Sequence, residues 1–242
     1  DRGVEHVGVC GATLRCSRTE NADVFHAAIG GFGLFGAFAR IRLRLHKVPG
    51  GRLNVTVRAA PSLDGLLDEF EAALTTSHYV VGWVDGIATG RGLGRGELHA
   101  ANYAGPDVDP DGAAWLDPAR QDLPPHILGM PRSAVWRFLR LGTNALGTRA
   151  VNTAKIVVGR RQHGTSYLQS HVAFAFLLDY VPNWRLAYGP RGFVQVQLFV
   201  PYATGRRALR ELLAVGPTVG QPPYLAVLKR HRPDPFQIGR AH

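Results

Sequence analysis

Four of the seven residues from Gly30 to Gly36 are glycine, and Gly31, Gly33 and Gly36 spell G-x-G-x-x-G. That spacing suits a turn that leads from a strand into a helix whose N-terminus faces a pyrophosphate, and such a dinucleotide site requires the order strand, glycines, helix. Here the order is reversed. Residues 21–29 precede the glycines and predict a short helix, with Ser17 and Glu20 at capping-box spacing before it. After them, Ile41, Leu43 and Leu45 alternate with Arg40, Arg42 and Arg44 across residues 37–45. That is the period-two pattern of a half-buried strand. About 20 residues on, where a ribose-binding acid belongs, the chain has Thr56 and no carboxylate. The nicotinamide-type reading is excluded by this context.

The physical content of the glycines survives. Glycine admits positive φ and lets another group approach the main chain closely. A glycine turn between a helix and a strand therefore presses against something: either the backbone of a packed sheet, or the edge of a flat cofactor that takes main-chain hydrogen bonds. Spacing alone leaves both open.

The remaining pattern predicts an α+β fold. Residues 4–16 read as one or two short strands broken at Gly11. Pro49, Gly50 and Gly51 punctuate the chain and mark a subdomain boundary. Residues 53–58 alternate as a strand. Leu63, Leu66, Leu67, Phe70, Ala73 and Leu74 form a helical stripe, with Ser62 as N-cap and Asp64, Asp68 and Glu69 toward the start. Residues 79–85 return as a strand, so strand, helix and strand build an antiparallel layer. Residues 86–133 are rich in glycine and proline and predict a long loop serving as a lid or mobile insertion. Further helices are expected over 133–146 and 205–215, and strands over 193–199 and 224–229.

Composition narrows the classes. A net charge of +10 in 242 residues raises nucleic acid or an anionic surface as partners, but no nucleic-acid motif accompanies the arginines. No nucleic-acid partner is expected; anionic lipid or a phosphate-bearing substrate suits the charge as well. No apolar run approaches the roughly 18 residues that span a bilayer. Cys10 and Cys16 are the only cysteines and read as small buried hydrophobes in a reducing compartment. The ten histidines lack metal-ligand spacing, so no metal is expected, and no G-x-S-x-G elbow supports a serine hydrolase.

Two places carry candidate chemistry. Gln195 and Gln197 lie two apart in an otherwise apolar run and would share one strand face, either as a solvent-facing polar side or as paired amides toward a ligand. Lys229 closes an apolar strand, where the plain reading is a strand-end lysine reaching water. Trp184 and Tyr188 read as packing anchors, and Asp179 as structural.

Three blocks resemble FAD-linked oxidases of the vanillyl-alcohol-oxidase type, which carry a PCMH-type FAD-binding domain. In residues 16–43, Asn21, Asp23, Phe25, Ala27, Gly30, Gly31, Gly33 and Gly36 match a segment that passes beside the flavin in that family. Residues 178–201 and 224–236 are similar to the substrate domain of its decaprenylphosphoryl-ribose 2-oxidase and Δ24-sterol-reductase-like subgroup. The resemblance implies the end of a flavin lobe at 1–48, a substrate (cap) domain over 49–236 with a largely antiparallel sheet flanked by helices, and a tail at 237–242 outside the family pattern. It implies FAD as cofactor, with Gly31, Gly33, Gly36, Ala37 and Phe38 beside it. It makes Gln195 and Gln197 substrate-cavity residues, and Lys229 a group that hydrogen-bonds a substrate hydroxyl and stabilises oxyanion charge.

The implied reaction is hydride transfer between a substrate carbon and flavin N5, on an alcohol, sugar, lactone or sterol-like substrate, small or lipid-linked. Phe38 stands where relatives carry Ile or Val, and Leu177 where they tend to carry proline. The chain lacks the family's first flavin lobe and its C-terminal segment, so a fragment inactive alone is expected, from a cytoplasmic protein with peripheral membrane association. The rival reading is a basic, non-catalytic binding module on an oxidase-like fold.

Overall fold

Residues 3–7, 11, 13–127, 129–190, 192–220 and 223–230 are described by the computed structural model of the chain. They fall into two compact units. One contains the chain up to Lys47 with Phe199–Pro201 and Arg230; the other contains Val48–Leu198 and Tyr202–Lys229.

The first unit is built on three antiparallel strands. β1 (Gly3–Val7) lies between β2 (Thr13–Ser17) and β3 (Ala37–Arg42), giving the order β2-β1-β3. Gly11 has φ of 78°, which suits it to the connection between β1 and β2. Helix α1 (Ala22–Ala28) buries Phe25 against Cys16, with Val24 and Ile29 packed around them. Cys16 is a buried hydrophobe, whose thiol is pushed up by burial and then by the Glu20 carboxylate; Cys10 lies outside the described residues.

Two expectations change here. Ser17 Oγ does accept from the Glu20 N–H at 3.0 Å, but this closes a turn ahead of the helix; the N-cap is Asn21, in the left-handed region at φ 46° with no side-chain cap. The strand after the glycines is shorter than residues 37–45, and all six of its residues are exposed rather than half-buried. The alternation of Ile41 with Arg40 and Arg42 is real, but Ile41 is exposed like its basic neighbours.

The second unit holds a five-stranded sheet in the order β10-β5-β6-β4-β9, antiparallel at every pairing. In chain order its elements are β4 (Arg52–Ala60), α2 (Leu63–Leu74), β5 (Tyr79–Val84), β6 (Gly96–Tyr103), a small hairpin of β7 (His126–Ile127) and β8 (Met130–Pro131), α3 (Val135–Gly142), α4 (Ala145–Gln162), β9 (Ser166–Ser170), α5 (His171–Ala175), α6 (Tyr202–Thr218) and β10 (Ala226–Leu228). The predicted α+β class, with a largely antiparallel sheet flanked by helices, is what the chain adopts.

The period-two rule sorts this sheet into two covered faces. Val80, Val84, Leu98 and Ala100 face α2, which supplies Leu66, Phe70 and Ala73; Leu213 of α6 joins the same cluster. Gly82 leaves room there for the Phe70 ring, 3.3 Å from where its Cβ would stand. On the other face Leu53, Val55 and Ala101 pack with Tyr79, Tyr103 and Phe174 of α5, and α4 crosses the same side. Ser62 caps α2 as predicted, accepting from the Gly65 N–H at 3.3 Å.

The expected loop at 86–133 is the main miss. Its middle is β6, hydrogen-bonded to both β4 and β5. After β6 the chain is clasped rather than lid-like. Buried Asp109 accepts from both Arg52 Nε, at 2.8 Å, and Arg52 Nη2. Gln121 Nε2 donates to the Gly51 and Trp115 carbonyls, while its Oε1 accepts from the Val172 N–H at 3.2 Å. The helix expected at 133–146 ends at Gly142, and α4 and β9 follow without a prior signal. Residues 193–199, expected as a strand, do not form one among the described residues. The last strand holds only Ala226–Leu228 of the predicted 224–229.

Candidate functional site

The glycine turn has helix α1 before it and strand β3 after it, as the spacing argument requires. Within the turn, Gly31 N–H donates to Ala28 O at 3.2 Å, Leu34 N–H to Gly31 O at 3.0 Å, and Gly36 N–H to Gly33 O at 3.3 Å. Positive φ occurs at Gly30 (83°), Phe32 (53°), Gly33 (77°) and Gly36 (128°). Phe32 is the unusual member, since a bulky residue there is strained by roughly 1 to 3 kcal/mol.

The glycines divide by role. A Cβ on Gly31 would stand 2.3 Å from Ala27 O and 2.7 Å from the Phe35 ring, so this glycine closes the turn on its own helix. A Cβ on Gly33 would meet nothing within 4 Å, so space is open beside it, while its carbonyl accepts from the Gly36 N–H. Around that opening the apolar side chains point outward: Phe32 is 92% exposed, and Leu34, Phe35 and Phe38 are exposed too, as is Ala37. Open space at Gly33 beside exposed apolar side chains fits the edge and face of a flat ring system.

In the second unit, Gln195 and Gln197 are both exposed, as are Val194, Val196 and Leu198 beside them. Lys229 is exposed immediately after β10, whose Leu228 is registered with Gly82 of β5. Neither glutamine hydrogen-bonds to Lys229. An aromatic cluster is what joins the two segments at their bases. Tyr188 lies 4.9 Å from Phe193 and 6.2 Å from Tyr224, between ring centroids, and Trp184 lies 5.2 Å from Phe193. The anchoring role read for Trp184 and Tyr188 is therefore what they perform: one ring holds the first residues of both candidate segments.

Sequence reasoning passed over the charged groups on the α4 side of the sheet. Glu97 of β6 accepts from Lys155 Nζ of α4 at 2.6 Å, and His99 Nε2 stands 3.6 Å from the same Oε2. The Lys155 ammonium also lies 4.9 Å over the Trp83 ring, a cation–π contact. Burial raises the Glu97 carboxyl, but hydrogen bonds from His99 and Lys155 outweigh it and hold it below its ordinary value. Asp85, also buried, accepts from Asn152 Nδ2 at 2.7 Å, Arg95 Nε at 2.9 Å and the Ile87 N–H at 3.1 Å. It borders a hollow of about 400 Å³ with Thr89, Arg95, Arg149 and Thr153. The Asn152 bond ties α4 to the end of β5, while Arg95 and the Ile87 N–H hold Asp85 within the β5–β6 connection. The Tyr103 hydroxyl, hydrogen-bonded to Tyr79 at 2.7 Å, is pushed up to about 12 by burial and by that bond, so it stays protonated.

Among known proteins, the chain is similar to decaprenylphosphoryl-β-D-ribose oxidase of Mycolicibacterium smegmatis, with 27% identity over 187 residues, covering 75% of this chain and 38% of that protein. It is also similar to cytokinin dehydrogenase 9 of Oryza sativa subsp. japonica, with 46% identity over 39 residues, 16% of this chain and 8% of that protein. The chain thus spans well under half the length of the curated relatives it matches. No family model matches it. An oxidase and a dehydrogenase are both oxidoreductases.

Proposed function

We propose that the chain is part of an FAD-dependent oxidoreductase acting on a CH–OH group of a sugar-like or lipid-linked substrate. The observation that carries this reading is the similarity to an oxidase over three quarters of the chain. The glycine turn supports it independently. Gly31 draws the turn tight, Gly33 leaves space open beside it, and Phe32, Ala37 and Phe38 provide apolar surface for a flavin ring. When bound, that cofactor supplies the hydride-accepting position.

The chain's own groups then bind and polarise. Gln195 and Gln197 carry amides able to donate to and accept from substrate hydroxyls. Lys229 carries an ammonium able to hydrogen-bond a substrate hydroxyl and to stabilise negative charge on that oxygen. In the full-length protein, Gln197→Ala and Lys229→Ala are expected to lower kcat, the lysine change on the order of 10²-fold, with flavin content unchanged by visible absorbance. Equal loss of flavin and activity would make these residues structural. A well-folded full-length protein without bound flavin would overturn the oxidoreductase reading and favour the basic binding module.

A further inference from the structure

We infer that the corner between α3 and α4 is a docking surface for an anionic lipid bilayer. Between Asp122 and Asp179 the sequence contains no acidic residue at all, yet Arg132, Arg137, Arg140, Arg149, Lys155, Arg160 and Arg161 all fall there. Lys155 is used by Glu97. Arg132, Arg140 and Arg149 have no carboxylate partner among the described residues, and Arg137 lies over the Trp136 ring at 5.4 Å.

The apolar side chains at this corner are uncovered. A helical turn at Arg132–Ala134 runs directly into α3, and only Thr143 and Asn144 separate α3 from α4. The two backbones touch at the corner, where a Cβ on Gly147 would stand 2.6 Å from the Gly142 Cα. Val135 faces inward and is buried. Phe138 is 56% exposed, Leu141 76% and Leu146 80%. Helix spacing sets Arg137 and Arg140 across from Phe138 and Leu139, so α3 is amphipathic with basic and apolar sides both open.

Charge complementarity selects the occupant. A second copy would bring cations against cations. A polynucleotide would pair with the arginines but leave Phe138, Leu141 and Leu146 in water. An anionic bilayer meets both, with lipid phosphates for the arginines and an acyl boundary for the apolar tips. No described helix is long and apolar enough to cross a membrane, so the proposed contact lies in the interface plane. It does not depend on bound flavin, and its failure would leave the oxidoreductase reading untouched.

The test is co-sedimentation of the 242-residue chain with vesicles of phosphatidylcholine alone or mixed with phosphatidylglycerol. Binding is expected to the mixed vesicles only and to weaken with salt. The triple change Arg137→Gln, Arg140→Gln, Arg149→Gln should lower partitioning at least about tenfold, while the matching triple change to lysine retains it. Leu141→Gln with Leu146→Gln should lower it by about tenfold too. All five side chains are exposed, so far-UV circular dichroism of each variant should match the parent. Equal binding to neutral vesicles, or no binding to either, would overturn the proposal. So would loss through the arginines alone, which would point to a polynucleotide, or concentration-dependent dimers abolished by the leucine changes, which would point to a second copy.

Discussion

Glu97 is 3% exposed, and only one of its oxygens is held: Oε2 takes the Lys155 ammonium, while buried Oε1 has no partner. Such a carboxylate is stable in the fold only with its cation. Lys155→Met is therefore expected to destabilise the chain by about 3 kcal/mol, the low end for breaking a buried pair because Lys155 is a third exposed. Urea unfolding would read this as a lower midpoint at unchanged slope. The same residue sets an acid response together with Asp109, whose carboxyl the Arg52 hydrogen bonds hold below its ordinary 3.8, as Glu97 is held below 4.5. A folded-state value below the unfolded one contributes stability that is complete above the unfolded value and lost as pH falls toward the folded one. Stability should thus begin to drop below about pH 4.5 and continue falling into stronger acid. Thermal melts across that range check it, and Asp109→Asn should flatten the lower part of the curve.

Helix α4 meets the sheet through one of its glycines. A Cβ on Gly159 would stand 2.1 Å from Glu97 Oε1 and 2.8 Å from its Cγ, and Lys155 pins that carboxylate so it cannot swing aside. Glycine to alanine inside a helix ordinarily helps by roughly 0.5 to 1 kcal/mol. Here crowding decides the sign, and Gly159→Ala should cost about 1 to 3 kcal/mol. Gly142→Ala, at the end of α3, where a Cβ would meet nothing within 4 Å, should be neutral or better. Comparing the two melting temperatures tests whether packing, not propensity, placed Gly159. Elements also explain why residues 193–199 mislead. Their alternation suits a strand, but a strand exists only when a second one accepts its ladder, and among the described residues none does so for 193–198.

Across the whole chain, protection should follow the number of neighbours each strand has. β6 lies between two strands with helices over both faces, and β4 pairs with β6 and β9. β3 is an edge strand exposed along its whole length. In hydrogen exchange, amides of β4 and β6 should exchange slowest, at rates set by global unfolding, and those of β3 and residues 193–198 far sooner. Equal protection in β3 and β6 would contradict this picture. What residues alone determined was local: the helix-before-strand order around Gly31, Gly33 and Gly36, the alternation of Leu53, Val55 and Val57, and the stripe and Ser62 cap of α2. Each is written in a period or a cap spanning a few neighbours. The tertiary structure decided the rest. It made a central strand of Gly96–Tyr103, whose Glu97, His99, Ala100 and Ala101 carry no strand alternation. It paired Glu97 with Lys155, 58 positions away, and it left Ile41 of β3 exposed. Those outcomes depend on which distant segment arrives alongside, and no local period encodes that arrival.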